Sequence, residues 1–315
     1  MRIIFMGTPE IAVYSLDKLD NSNHEIVAVV TVPDKPAGRG QKLRPSVVKQ
    51  YAEKNNIKVL QPEKLKNPEF ISELKKINAD LFVVLAFRML PKEVWTIPPK
   101  GTINLHASLL PNYRGAAPIN WAIINGETKT GVTTFFIDDK VDTGKIIDQK
   151  EIEITRTDNA ETLHDKIMIL GAELLLETVN SIENDTFKEI PQDKLVSDFV
   201  QLKAAPKIFK ENCKIDWNQN LNQVYNFIRG LNPYPGAWTN LEKEGQIFFM
   251  KIFDIEELKS EKRLNPGIIF VDKNCFRISC LDGFIIVKTM QLEGKKKMES
   301  SEFLRGFNLT GCKLI

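Results

Sequence analysis

Over its first half the chain alternates short apolar runs, rich in Val, Ile, Leu and Phe, with amphipathic stretches of helical period. That is the rhythm of βαβ units, and it predicts an α/β fold: a Rossmann-like, doubly wound, mainly parallel sheet with helices on both faces. Beyond residue 206 short apolar runs follow one another closely, with Gly and Asn at the turns. This second pattern predicts a small C-terminal antiparallel β-barrel of the OB-like kind. At 315 residues the chain exceeds the usual size of one domain. The predicted organisation is an α/β domain over 1–185, a linker over 186–206 and the barrel over 207–315.

Taken in order, the runs at 2–6, 25–32, 58–61, 81–86 and 103–106 read as strands, and the stretches near 9–19, 46–54 and 68–77 as helices. Two more strands are expected at 131–137 and 145–154, then a long amphipathic helix from about Asn159 to Ile182. From Glu183 to Ala205 the periodicity disappears, which is why that stretch reads as a linker. A helix at 221–230 and strands at 245–255, 267–271, 276–281 and 283–290 complete the second part.

Hydrophobic content of 43% and charged content of 27% suit a water-soluble globular protein whose core is large enough to hold a buried polar site. The four cysteines, Cys213, Cys275, Cys280 and Cys312, show no CxxC spacing and no nearby histidine pair. They read as free thiols of a reducing cytoplasm and argue against a metal site. MRIIFMG reads as a buried strand, not as a signal peptide, and no apolar run approaches a membrane span. A cytoplasmic protein with no membrane partner is expected. Nothing demands an oligomer, so a monomer is expected too. Net charge is only +2, but residues 206–315 carry 17 Lys and Arg against 13 Asp and Glu. A basic excess there is compatible with a polyanionic partner.

In a doubly wound sheet, ligands bind beyond the carboxyl ends of the strands. The strand running into His106 places Asn104 and His106 at that end, two residues apart and so on one face. Ser108-Leu109-Leu110-Pro111 follows, then Asn112-Tyr113-Arg114-Gly115, and later the polar loop Asp139-Lys140-Val141-Asp142-Thr143-Gly144. A histidine at a strand end is more often structural than catalytic, and Asp-Thr-Gly is a common turn; these residues alone leave both readings open. His24 and His164 read as structural. The opening Gly7-Thr8-Pro9-Glu10 is not a GxGxxG fingerprint, and the sequence offers no basis for NAD or ATP.

As one string, Asn104-Leu105-His106-Ala107-Ser108-Leu109-Leu110-Pro111, then Tyr113-Arg114-Gly115 and Asp142-Thr143-Gly144, resembles the signature of the folate-dependent formyltransferases. The resemblance runs over nearly the whole chain in strict order. It implies 10-formyltetrahydrofolate as formyl donor, Asn104, His106 and Asp142 as the catalytic set, and Ser108, Leu109, Leu110 and Pro111 in contact with the folate. The chemistry suits these residue types. Attack of an amine on a formyl carbon creates an oxyanion that an amide and an imidazole can hydrogen-bond, and a carboxylate can take the amine proton. No metal or covalent enzyme intermediate is required. The segment Ala86-Phe87-Arg88-Met89-Leu90 departs from the family's usual Ala-Tyr-Gly and is closer to the glycinamide ribonucleotide relatives. There it lines the pterin pocket, which implies folate contacts from the backbone of Arg88, Met89 and Leu90.

The acceptor must be argued from elsewhere. The loop from Pro33 to Leu43 resembles an insertion of the tRNA-directed members, and its neighbourhood carries Lys35, Arg39, Lys42, Arg44 and Lys49 against Asp34. Lys214-Ile215-Asp216-Trp217 with the run from Ile228 to Trp238 is similar to their domain junction, and Lys295-Lys296-Lys297 with Phe303-Leu304-Arg305-Gly306 to their close. The resemblance implies initiator methionyl-tRNA as partner, held by Lys35, Arg39, Lys42, Arg44, Lys295, Lys296 and Lys297, and N-formylmethionyl-tRNA for translation initiation as product. On composition alone the loop and the lysine triplet read as solvated faces, and Trp217 and Trp238 as core residues. A small amine, such as an amino-sugar nucleotide or glycinamide ribonucleotide, is the alternative acceptor.

Overall fold

The computed structural model describes residues 1–37, 42–196 and 201–315. Arg39, one of the expected tRNA contacts, lies outside the described residues. Contacts divide the chain into two compact units. One is 1–115, 131–152 and 165–204; the other is 116–130, 153–164 and 205–315.

In chain order the elements begin β1 (Arg2–Gly7), α1 (Glu10–Asp20), β2 (Glu25–Val30), β3 (Lys35–Ala37), β4 (Lys42–Arg44), α2 (Val47–Lys54), β5 (Val59–Leu60) and α3 (Pro68–Ile77). They continue β6 (Leu81–Leu85), α4 (Lys92–Trp95), β7 (Thr102–His106), β8 (Arg114–Gly115), α5 (Pro118–Ile124), β9 (Lys129–Phe136), β10 (Ile146–Glu153) and α6 (Ala160–Glu183). The main sheet has the order β10-β9-β7-β6-β1-β2-β5. β1 pairs in parallel with both β2 and β6, β2 with β5 and β6 with β7, while β7 and β9 are antiparallel.

The unbroken apolar runs follow from burial on both faces. Ile3 and Phe5 of β1 pack with Leu16, Val48, Leu175 and Val179 from α1, α2 and α6. Ile4 and Met6, pointing the other way, pack with Phe70 and Leu74 of α3 and with Val94 of α4. The strand order reverses between β1 and β6, so the crevice of this fold opens beyond their carboxyl ends and that of β7.

After β11 (Ala204–Ala205), at the division between the units, the second unit follows with α7 (Leu221–Leu231), β12 (Ala237–Lys243), β13 (Gln246–Ile252), β14 (Ile255–Lys259), β15 (Ile269–Val271) and β16 (Phe276–Ser279). It ends with β17 (Gly283–Val287), β18 (Thr289–Leu292), β19 (Met298–Glu299), α8 (Ser300–Gly306) and β20 (Lys313–Leu314). Its strands are antiparallel, as expected, but they do not close into a barrel. They form two sheets, β19-β18-β13-β12-β20 and β14-β17-β16-β15. The reason lies at two corners. Each of the expected strands 245–255 and 283–290 is interrupted, the first at Phe253–Asp254 and the second at Lys288. The amides of Lys288 and Thr289 both donate to the Asp254 carbonyl, and the Asp254 carboxylate accepts from Asn232 Nδ2 at 3.0 Å. Bonds that a continuous ladder would use are spent on turning the chain from one sheet to the other. Inward residues of both sheets, among them Leu241, Met250, Ile252, Phe276, Ile278 and Ile285, then share one core with Val224 and Ile228 of α7.

Trp217 and Trp238 join this packing, Trp217 at 6% exposure with its indole N–H donating to Thr239 Oγ1. α7 begins with a capping box, in which Asn220 Oδ1 accepts from the Gln223 amide at 2.9 Å and Gln223 Oε1 from the Asn220 amide at 3.3 Å. Asn220→Ala is expected to cost about 1 kcal/mol of the stability of this unit, read as an earlier denaturant midpoint in equilibrium unfolding.

Candidate active site

β7 delivers His106 to the carboxyl edge of the sheet, where the residue is 7% exposed. Its Nε2 lies 2.8 Å from the Tyr113 carbonyl. A carbonyl only accepts, so Nε2 carries a proton, and Nδ1 is the nitrogen left to face the site. Nδ1 stands 3.8 Å from Asp142 Oδ2, and that oxygen also accepts the Gly115 amide at 2.9 Å. Asn104, two residues back on β7, shares the face of His106 and is half-buried. Its amide has no hydrogen-bond partner among the described residues, so its donor is free. Sequence reasoning grouped these three; the structure brings His106 and Asp142 together and sets Asn104 beside them on the strand.

Two segments meet His106 in strained backbone. Tyr113 has φ 61° and Asp142 φ 56°, a left-handed region that costs a residue with a Cβ about 1 kcal/mol or more. Surrounding bonds hold both. The Tyr113 amide donates to the Lys203 carbonyl at 2.6 Å, and Asn112 Oδ1 accepts the Lys203 amide at 3.1 Å. Buried Gln192 donates from Nε2 to the carbonyls of Asp142 (3.0 Å) and Gly144 (2.8 Å). Its Oε1 accepts from Arg114 Nε (3.0 Å) and Nη2 (2.6 Å). Sequence reasoning missed Gln192. It sits in an aperiodic stretch, and nothing local marks it.

The expected folate segment is largely spent on holding itself. Ser108 is fully buried, donating from Oγ to the Asn112 carbonyl, and Leu110 packs with Phe135 and Ile146. Thr133 Oγ1 donates to the Ser108 carbonyl and accepts the Leu110 amide. Pro111 is buried and Leu109 half-buried. In the other folate segment Leu90 is a core residue, Met89 is 68% exposed, and the Arg88 guanidinium donates to the carbonyls of Glu63 (2.9 Å) and Pro62 (2.8 Å). Burial lowers the pKa of that guanidinium. Its two bonds tie the segment after β6 to the chain after β5.

The basic loop is not a plain loop at its base. β3 and β4 pair as a hairpin, with Lys35 opposite Arg44 and Ala37 opposite Lys42. Lys49 is taken out of the cationic set, since its Nζ binds Asp34 Oδ2 at 2.7 Å while Gln61 Nε2 holds Asp34 Oδ1 at 2.7 Å. These hydrogen bonds hold the Asp34 carboxyl below its usual range. In the second unit, Lys297 is paired with Asp254 Oδ2 at 3.1 Å and lies 4.7 Å over the Phe253 ring. Lys296 stands 3.9 Å from Glu302, and Lys295 is exposed.

A surface groove of about 730 Å³, lined by Arg2, His24, Glu25, Asn55 and Lys58, opens at the amino ends of the strands. It lies away from the edge where this class of sheet does its chemistry. Among the described residues no cluster of His, Cys, Asp and Glu is arranged to hold a metal, and no helix is long and apolar enough to cross a membrane.

Comparison with known proteins decides the family. A family model described as formyl transferase matches residues 1–179, and one described as formyl transferase, C-terminal domain, matches 207–308. The methionyl-tRNA formyltransferase of Bacteroides thetaiotaomicron is 52% identical over 98% of this chain and 97% of that one. That of Flavobacterium psychrophilum is 52% identical over 100% of this chain and 99% of its own.

The chain belongs to the methionyl-tRNA formyltransferase family.

Solved structures agree on the fold at greater distance. The N-formyltransferase of Helicobacter canadensis, crystallised with folinic acid and dTDP-3-aminofucose, aligns with TM-score 0.65 at 24% identity, over 94% of this chain and 99% of that one. Membership of the methionyl-tRNA formyltransferase family makes the chain a formyltransferase.

Proposed function

We propose that the chain transfers the formyl group of 10-formyltetrahydrofolate to the α-amino group of methionine on initiator tRNA, giving N-formylmethionyl-tRNA for translation initiation. The observation that carries the reading is the meeting of His106 Nδ1 and Asp142 Oδ2 at 3.8 Å, beside an Asn104 amide with a free donor. The neutral amine attacks the formyl carbon, and the carbonyl oxygen becomes an oxyanion. Asn104 Nδ2 donates to it. His106 donates too, but because Nε2 is engaged by Tyr113, a hydrogen on Nδ1 makes the ring an imidazolium. Asp142 balances that charge and takes the proton of the attacking amine. The tetrahedral centre then collapses as the C–N bond to the folate breaks, the folate nitrogen leaves with the proton that Asp142 passes on, and the new N–C bond remains.

Residues 1–185 carry this chemistry, residues 186–206 link the two parts, and 207–315 contribute to tRNA binding. The segment Ser108-Leu109-Leu110-Pro111 and the backbones of Arg88, Met89 and Leu90 meet the folate. Lys35, Arg39, Lys42 and Arg44 reach the tRNA, as do Lys295, Lys296 and Lys297, the last from beside Asp254. The Lys35–Arg44 pairing supports this, because like charges placed directly opposite one another repel and a phosphate between them relieves the cost. The chain acts as a cytoplasmic monomer.

The deciding assay supplies formyl-folate with initiator or elongator methionyl-tRNA, and in parallel with a dTDP-amino-sugar. Formylation confined to the initiator species is the expected result. Modification of the sugar without modification of the tRNA overturns the assignment. Arg44→Ala is expected to raise KM for methionyl-tRNA several-fold and to lower the salt slope of tRNA binding by about one, leaving KM for the folate unchanged. A shift in folate KM alone would displace the hairpin from the tRNA side.

A further inference from the structure

We infer that Gln192 is a positioning residue for Asp142, fixing where the carboxylate stands relative to His106. The inference rests on the formyl-transfer reading above.

Gln192 is 3% exposed, and its side-chain amide is fully used. Nε2 donates to the carbonyls of Asp142 and Gly144, and Oε1 accepts two bonds from the Arg114 guanidinium. Arg114 precedes Gly115, whose amide donates to Asp142 Oδ2. The four residues therefore form a closed circuit in which each end of Asp142 is held: its carbonyl by Gln192 and its carboxylate by Gly115. The strand-like bridge between Ile190 and Ile146, with amide-to-carbonyl bonds of 2.8 and 2.9 Å, fixes the backbone from which Gln192 reaches in.

Such a circuit answers a specific need. Asp142 has φ 56°, a conformation that its own Cβ disfavours. A residue left to itself there relaxes toward ordinary backbone angles and swings its carboxylate away from Nδ1. The Nε2 bond to its carbonyl opposes that swing, and the bond to Gly144 holds the next turn. A buried polar network with every member satisfied specifies one arrangement of its parts. Gln192 touches no reacting atom; it acts through Asp142.

Two variants separate this from mere filling of space. Gln192→Met keeps the length and apolar bulk but makes no hydrogen bond. Gln192→Glu keeps the acceptor for Arg114 and loses the donor to the two carbonyls. In both, kcat is expected to fall about 10- to 100-fold with KM for folate and for methionyl-tRNA within about threefold of the wild type. In an Asp142→Asn background, Gln192→Met should cost almost nothing further, because the group it positions is already disabled. A readout independent of turnover is hydrogen exchange at the Gly115 amide, expected to quicken at least about tenfold in Gln192→Met. A folded Gln192→Met enzyme with wild-type kcat, a full additional loss in the Asp142→Asn background, or unchanged Gly115 exchange overturns the inference. Should Gln192→Met fail to fold, Gln192→Glu, with its Arg114 bonds intact, decides by the same criteria. A wild-type chain that formylates no methionyl-tRNA strikes the function reading instead; the Gly115 exchange result still judges the circuit.

Discussion

Replacing His106 by alanine is expected to lower kcat for formyl transfer by about 100- to 1000-fold, the usual cost of removing one oxyanion donor, while tRNA affinity stays near the wild-type value. The ring has two jobs that different substitutions separate. Nε2 ties β7 to the Tyr113 carbonyl at 2.8 Å, a buried structural bond. Nδ1 is the nitrogen that faces Asp142. Glutamine places its amide nitrogen roughly where Nε2 stands, so His106→Gln can keep the Tyr113 bond but offers nothing at the Nδ1 position. Asparagine does the reverse. If Nδ1 carries the chemistry, His106→Gln is as inactive as His106→Ala although it is the more stable of the two. His106→Asn, though less stable, retains more turnover. Steady-state kinetics beside thermal unfolding give both rankings, and a His106→Gln enzyme with near-normal kcat would remove the imidazole from the reaction.

Much of the fold was legible because burial on two faces writes itself into sequence. The Ile3-Ile4-Phe5-Met6 run is continuous since successive residues enter the helix layers on opposite sides of the sheet. The antiparallel strands of the second unit were legible from their turns, but β12, which begins at the end of the run to Trp238 and extends to Lys243, was missed. The corners at Asp254 and Lys288 were missed as well, since the bonds that make them join residues far apart in the chain. Segments 116–130 and 153–164 pack with the second unit although no break in composition marks them. At the site, Asn104, His106 and Asp142 stood out as members of a resembling string. The Tyr113 carbonyl, the Gly115 amide and Gln192 did not, because a backbone group has no letter of its own and Gln192 lies in a stretch without period. Pairing between charges is not visible in the sequence. Lys49 and Lys297 look like free cations in the sequence, yet each is paired with an acid brought to it only by folding, Asp34 and Asp254.

Gly144→Ala is expected to be the most damaging single-methyl change in the candidate site, destabilising the first unit by about 3 kcal/mol and taking turnover with it. The cause is steric rather than conformational. A Cβ at this position would stand 1.6 Å from the Phe136 carbonyl oxygen and 2.8 Å from its carbon, and both are backbone atoms of β9. No side-chain rotation relieves that contact, so either β9 or the 142–144 turn must move. β9 is the less able to yield, because its Phe135 and Phe136 lie opposite Asn104 and Ile103 of β7 in the buried sheet. The turn therefore moves, and it takes with it the Gly144 carbonyl held by Gln192 and the Asp142 carboxylate facing His106. Gly245→Ala supplies the contrast. Gly245 has φ 82°, so it too resists a Cβ, yet nothing lies within 4 Å of where that Cβ would stand. Its cost is the backbone penalty alone, about 1–2 kcal/mol, with no effect on kcat. Measured side by side, the two alanines should both lower the melting temperature, while formyl transfer falls only in Gly144→Ala. Equal turnover in the two would mean that the Asp142 carboxylate does not depend on this turn for its place.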